Sequence, residues 1–287
     1  MKYKRVIARL DIKGPNLVKG IHLEGLRVLG NPEIYAEHYF KQGVDELIYS
    51  DVVASLYGRN SILKTIKETA EGISIPLTVG GGIRSIDNIR EILSAGADKV
   101  ALNTVAIKKP DFINEAARIF GSSTIVVAIE ATKEKNENYL AYTDNGRQYT
   151  GIEVTKWATE VEKRGAGEIL LTSIDNEGTG EGLDKKLISS ITNKVKIPVV
   201  AHGGAGDKSH IKDVFKKTNC DGVAISSLLH YGCLSLMRKK NKINKETEGN
   251  KEFILSKTKN FKSFKEENIR ILKKYLIKEK INVRPPL

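Results

Sequence analysis

Two carboxylates and two glycine pairs hold most of the chemistry this 287-residue chain can offer. Asp11 and Glu130 each close a β-rich run, and they lie 119 residues apart (130 − 11). Opposed carboxylates suit general acid and general base roles when their surroundings separate their pKa values. The plainer reading is that each caps a loop or pairs with a lysine such as Lys19. Gly81-Gly82 and Gly203-Gly204 follow apolar runs at matching places: Gly81 and Gly203 are 122 apart (203 − 81), as are Glu46 and Glu168 (168 − 46), and Asp98 and Asp221 are 123 apart (221 − 98). Near-constant offsets over separate segments mark a duplication. Backbone N–H groups approach phosphate oxygens where no Cβ intervenes. Gly81-Gly82 with Asn103-Thr104 would hold one phosphate, and Gly203-Gly204 with Ser226-Ser227 a second. One Gly-Gly-Gly turn means little; two at matched offsets imply a ligand with two phosphoryl groups.

The elements that must position these residues alternate between strand and helix. β-rich runs cover Arg5–Asp11, Glu46–Asp51, Pro76–Gly80, Lys99–Asn103, Thr124–Glu130, Glu168–Ser173, Pro198–Ala201 and Gly222–Ser226. Their near-continuous apolar character suits strands covered on both faces. Amphipathic stretches such as Pro32–Gln42, Ser85–Ala95, Lys109–Phe120 and Ile152–Arg164 lie between them. Eight such units predict a single (βα)8 barrel over residues 1–287, with a twofold half-barrel duplication. An open doubly wound sheet is the rival; two equivalent halves favour closure, which leaves no exposed edge. Gly14–Gly30 reads as a long loop carrying Lys19 and Arg27. Residues 135–151 read as an inserted hairpin turning at Asp144-Asn145-Gly146, and 234–265 as a basic insertion. A last helix over Asn268–Lys280 would present Ile269, Leu272, Leu276 and Ile277 on one face.

Barrel active sites lie at the carboxyl ends of the strands. Those ends also supply Asp51, Thr172, Ser173 and His202. A lone histidine is usually structural, though His202 is placed to donate to a phosphate or hydroxyl. No spacing of His, Cys or Asp makes a metal site, and nothing calls for a cofactor. At the opposite end Arg5, Glu46, Lys99 and Glu168 open four strands where apolar plugs are usual. Two cations and two anions can pair in a ring that offsets part of their desolvation. Ordinary rim ion pairs are the plain alternative, and a gate for something small and neutral is the functional one.

Bulk properties exclude several classes. No run of eighteen apolar residues exists, and Met1-Lys2-Tyr3-Lys4-Arg5 leads into a strand, not a secretion signal. Two cysteines make no disulfide framework, so a reducing cytoplasm is expected. Of the net charge of +12, about +7 falls between Arg238 and Lys265, where ten Lys or Arg meet three Glu without a base-stacking aromatic pattern. A solvated insertion explains this tract better than a nucleic-acid arm.

Longer motifs carry a resemblance. Leu10-Asp11-Ile12-Lys13, Val18-Lys19-Gly20, Thr78 to Arg84, Ala95 to Val100, Gly165 to Ser173 and Gly203-Gly204-Ala205-Gly206 are similar to the cyclase subunit family of imidazole glycerol phosphate synthase, over Lys4–Gly232 and Asn268–Arg284. The resemblance implies a lyase-type synthase subunit that binds a bis-phosphate substrate. It also implies a heterodimer with a glutaminase docked on the barrel's N-terminal face, whose ammonia travels along the axis. Asp11 matches the first catalytic aspartate, Lys19 the substrate-closing loop, and Arg5, Glu46, Lys99 and Glu168 the charged gate. Thr172 and Gly178 join the substrate-binding set.

The chain departs from the family pattern at four places: Glu130 replaces its second catalytic aspartate, His202 its serine and Glu177 the aspartate before Gly178, and the loop Pro15–Arg27 also differs. These traits resemble a paralogous branch that converts acetamido groups of nucleotide sugars to acetamidino groups in surface-polysaccharide biosynthesis. That substrate is the expectation; the alternative is the histidine-pathway reaction, in which ammonia and phosphoribulosyl formimino aminoimidazole carboxamide ribotide give imidazole glycerol phosphate and aminoimidazole carboxamide ribotide. A catalytically idle glutaminase activator and a basic-tract nucleic-acid binder are the readings from other classes.

Overall fold

A computed structural model describes residues 2–54, 62–239 and 267–286. Eight parallel strands close on themselves in the order β1 (Arg5–Lys13), β4 (Glu46–Asp51), β5 (Leu77–Gly80), β6 (Lys99–Leu102), β7 (Ile125–Lys133), β10 (Glu168–Ser173), β11 (Val199–His202) and β12 (Gly222–Ile225), with β12 pairing back to β1. The barrel is closed, as the duplication requires, and the open-sheet rival falls. Alternation along each strand sends one set of side chains to the axis and the other under the helices. On β7, Val126, Ala128 and Glu130 face inward, whereas Ile125, Val127 and Ile129 join the core beneath the helices. Burial on both sides explains why these runs read as almost continuously apolar.

Helix starts are written locally. Asn31, Ser85, Asp184, Asp207 and Asn268 each accept a hydrogen bond from a first-turn backbone N–H, satisfying donors that a helix leaves unpaired. The last helix, Ile269–Lys278, buries Ile269, Leu272, Lys273 and Leu276. Ile277 is exposed, contrary to the sequence expectation, and Lys273 takes the inward place because its Nζ reaches Asp45 Oδ1 at 2.6 Å. Asp45 also accepts from Arg284 Nε and from the Val6 N–H, so one buried carboxylate ties the C-terminal segment to β1.

The two halves match beyond the barrel strands. β2 (Asn16–Ile21) and β3 (Glu24–Gly30) form an antiparallel hairpin on β1, and β8 (Tyr139–Thr143) and β9 (Gln148–Glu153) form one on β7. Their first residues differ by 123 (139 − 16), and so do their last (153 − 30). The Gly14–Gly30 loop is therefore a hairpin, and the 135–151 segment is its counterpart in the other half. Of the basic insertion at 234–265, residues 240–265 lie outside the described residues. Cys220 and Cys233 are buried free thiols. Among the described residues no helix is long and apolar enough to cross a membrane.

Candidate active site

Three layers of inward side chains stack along the barrel axis. At the N-terminal end Arg5 Nη1 bonds Glu46 Oε1 at 2.8 Å and its Nη2 bonds Glu168, while Lys99 Nζ bonds Glu46 Oε2 at 3.1 Å and Glu168 Oε2 at 2.9 Å. The four charges close into the ring that their signs allow. Burial raises the cost of charge on Glu46, but Arg5 and Lys99 outweigh it and hold the carboxyl below its ordinary value. Two residues further along each strand comes an apolar belt of Ile7, Ile48, Ala101, Val126, Leu170, Val200 and Ala224. Two residues further again the lining is mostly polar, with Arg9, Asn103, Ala128, Thr172, His202 and Ser226, and the acids Asp11 and Glu130 come two residues beyond Arg9 and Ala128. β1 alone contributes Arg5, Ile7, Arg9 and Asp11 in sequence.

Asp11 is 2% exposed; it accepts from Arg9 Nε at 2.9 Å and lies 3.6 Å from Lys19 Nζ. Burial pushes its pKa up, but the Arg9 and Lys19 cations more than reverse this, so it stays a carboxylate. Glu130, 8% exposed, is pushed up to about 7 by burial, against the opposing pull of Arg9 and of the Gly146 N–H that donates to its Oε2 at 2.8 Å. Near neutrality one acid is ionised and the other half-protonated. That separation is what a base and an acid require.

The first glycine pair opens on a cavity of about 460 Å3, walled by Asp51, Gly80–Gly82, Asn103, Thr104 and Glu130 and reaching down to Ile48, Ala101 and Leu170 of the belt. Arg84, Lys108 and Lys109 also line it, so the wall is cationic. Asn103 Oδ1 is buried without a hydrogen-bond partner. Thr104 Oγ1 donates to Asp144 Oδ1 at 3.2 Å.

Around the second pair, Gly178, His202, Gly203, Gly204, Ser226 and Ser227 converge as the duplication anticipates, but they enclose only about 10 Å3. Lys19, on β2, is buried against Glu177, and the Leu23 N–H donates to Glu177 Oε2 at 3.0 Å, which draws the hairpin down over this half. The glycines here also have a packing reason beyond phosphate approach. A Cβ on Gly178 would meet Gly20 O at 2.7 Å, one on Gly203 would meet Ser173 O at 2.6 Å, and one on Gly81 would meet Asp51 Cβ at 2.8 Å. All four of the paired glycines have positive φ.

His202 does not present a free donor. Its Nδ1 lies 3.2 Å from Arg9 Nη1, an obligate donor, so Nδ1 is the acceptor and Nε2 carries the proton. That proton goes to Ser226 Oγ at 3.3 Å, and Ser226 in turn donates to Arg9 O at 2.9 Å. Burial, then Arg9 and Lys19, hold its pKa well below the ordinary histidine value, so the ring is neutral. Thr172 Oγ1 accepts from Arg9 Nη1 at 3.2 Å. No group of His, Cys, Asp and Glu among the described residues is arranged to hold a metal ion.

The sequence alone singles out neither Arg9 nor the turn Asp144-Asn145-Gly146 as part of this mouth. Arg9 had a readable signal: a cation inside an apolar strand, two residues before Asp11 and four after Arg5, and so on the same face. The turn had none, because its contacts with Glu130 and Thr104 are made across the barrel mouth, and Asn145 Nδ2 donates to Leu23 O of the opposite hairpin.

A closed (βα)8 barrel with a charged floor, an apolar belt and an acid pair at its catalytic end is an enzyme barrel. A family model described as histidine biosynthesis protein matches residues 5–235, and the chain belongs to that family. It is 58% identical over 206 residues to imidazole glycerol phosphate synthase subunit HisF of Legionella pneumophila, covering 72% of this chain and 97% of that protein. Subunits of the same name from Lactococcus lactis subsp. cremoris (strain MG1363) and Thermococcus onnurineus are 48% and 46% identical, covering 81% of this chain and 90% and 91% of theirs.

Proposed function

We propose that this chain is the ammonia-accepting cyclase subunit of an imidazole glycerol phosphate synthase. It acts on phosphoribulosyl formimino aminoimidazole carboxamide ribotide and gives imidazole glycerol phosphate and aminoimidazole carboxamide ribotide. The observation that carries this reading is the axial order of charged ring, apolar belt and acid pair. A belt of Ile7, Ile48 and their neighbours suits a neutral molecule of ammonia's size and opposes ions, for which desolvation is costly. The similarity to subunits named HisF supports the histidine-pathway reaction over the surface-sugar branch expected from Glu130. A glutaminase partner on the N-terminal face, beside the Arg5–Glu46–Lys99–Glu168 ring, would deliver the ammonia there. The buried free thiols suit a reducing cytoplasm.

Asp11, held as a carboxylate, is the base, and Glu130, protonated to a large extent near neutrality, is the acid. Gly81, Gly82, Asn103 and Thr104 take one phosphate, with Lys108 and Lys109 adding charge. Gly178, Gly203, Gly204, Ser226 and Ser227 take the other once the Lys19 hairpin lifts from Glu177.

A second reading rests on one observation: only the first cradle is open. A nucleotide-linked acetamido sugar carries adjacent phosphates and needs one cradle, and the longer Glu130 side chain would serve a differently placed carbonyl. Purified chain with an ammonium salt and the ribotide separates the two. Turnover with release of aminoimidazole carboxamide ribotide supports the first reading. No turnover there, with amidine formation on a UDP-N-acetyl sugar, overturns it in favour of the second.

A further inference from the structure

Arg9 is 3% exposed and occupies the level between the apolar belt and the acid pair. A guanidinium so placed has to be satisfied. Nε is taken by Asp11, and Nη1 by Thr172 Oγ1 and His202 Nδ1. Nη2 has no hydrogen-bond partner among the described residues, and Arg9 lines the 460 Å3 cavity together with Glu130 and Asn103. Three neighbours fix the fork's plane, so the remaining N–H pair is pre-aimed and cannot rotate away as a lysine ammonium can. Directly below on β1 is Ile7 of the belt. A neutral nucleophile leaving the belt therefore emerges beside the one guanidinium edge that nothing in the described protein uses.

We propose that Arg9 is a catalytic residue whose Nη2–H receives the oxygen of the carbonyl group that ammonia attacks. The inference rests on the ammonia-accepting reading above and holds for a ribulosyl ketone and for an acetamido carbonyl alike. The ammonia lone pair forms the C–N bond while the carbonyl π pair moves to oxygen. That oxyanion is held by Arg9 and takes the Glu130 proton, and one N–H proton passes to Asp11. The product of the step is the neutral addition compound, with Glu130 ionised and Asp11 protonated, and exchange of one proton with water restores both. A donor preorganised toward developing charge acts mainly in the transition state. The surrounding contacts explain how the cation is kept from collapsing onto Glu130. Asp11 and the neutral His202 anchor it from behind, and the Gly146 N–H holds Glu130 Oε2 from the other side.

The test uses the full chain with an ammonium salt, assayed in parallel with the ribotide and with UDP-N-acetylglucosamine. Arg9→Met removes the donor at similar volume. The expected result is a fall in kcat of about 100-fold with KM little changed, the range seen when one oxyanion donor is removed. Arg9→Lys should fall between, and methylguanidine should restore part of the activity lost in Arg9→Ala. A purely structural role predicts instead a lowered melting temperature with no rescue, so melts accompany each assay and the rescue decides if Arg9→Met folds poorly. Unchanged kcat in folded Arg9→Met, or absence of rescue, overturns the proposal. A wild-type chain inactive on both substrates would instead bring down the ammonia-accepting reading, and this inference with it.

Discussion

The two halves of the barrel mouth descend from one repeated unit, yet they stand in different states. Each half has a hairpin on its first strand, a glycine pair and a following polar strand end. The hairpin of β8 and β9, carried by the second half, sends its turn to Glu130 and across to Thr104 of the first half, where a cavity of about 460 Å3 stays open beside Gly81-Gly82. The hairpin of β2 and β3, carried by the first half, is pinned through Lys19 and Leu23 to Glu177 of the second half, and about 10 Å3 remains beside Gly203-Gly204. The closed side is the one where Lys19 and the Leu23 N–H both reach Glu177. Equivalent backbones thus present one open pocket and one covered by a hairpin.

The largest expected effect is on the acid that lines the open cavity. Glu130→Gln should lower ammonia-dependent turnover by about 10²–10⁴, measured as initial rate against the parent chain. It should also change stability in a predictable direction. Glu130 binds its proton more tightly folded (about 7) than its ordinary 4.5, so its contribution is full below 4.5 and lost as pH rises through 7. That loss amounts to roughly 3 kcal/mol, at 1.36 kcal/mol per unit. Melting curves of the Gln variant should fall less steeply across that window than those of the parent, and parallel curves would refute the buried-acid account.

Next comes the pin that distinguishes the closed half. Lys19→Met leaves Glu177 buried without its cation, and the cost should be about 3 kcal/mol in a denaturant titration. An unshifted midpoint would mean that the hairpin is held by backbone contacts alone. Lys99→Met tests the floor that both halves share. The ring side chains are partly solvated, so about 1–3 kcal/mol is expected. Glutamine-dependent turnover with the partner should fall more than turnover on free ammonium.

The smallest effect sharpens the contrast between cradles. Thr104→Val removes one donor from the open cradle and should weaken inorganic phosphate binding about fivefold, near 1 kcal/mol. Ser227→Ala in the closed half should leave phosphate binding unchanged. Equal effects in calorimetry would show that both cradles are accessible.

Much of this site is legible in one dimension because strands alternate. Arg5-x-Ile7-x-Arg9-x-Asp11, Glu46-x-Ile48 and Glu168-x-Leu170-x-Thr172 spell out the axial layers two residues at a time. The eight runs, the repeat offset and the Asn31, Ser85 and Asp207 caps are equally local. His202 shows where this stops. Its position at a strand end was clear, but both ring nitrogens are taken by Arg9 and Ser226, residues more than twenty positions away on other strands. Lys273 shows the same for a helix: periodicity put Ile277 on the buried face, but the structure exposes it and buries Lys273, for which Asp45 supplies a partner.

Order along the chain thus determined the barrel, its doubling, the charged floor and the two acids, because period-two alternation and repeated turns are properties of neighbouring residues. Which cradle stands open, which acid keeps its proton and where Arg9 points were decided only when distant strands met. Those outcomes depend on desolvation and on charges a few ångströms apart in space, and neither quantity exists until the cylinder has closed.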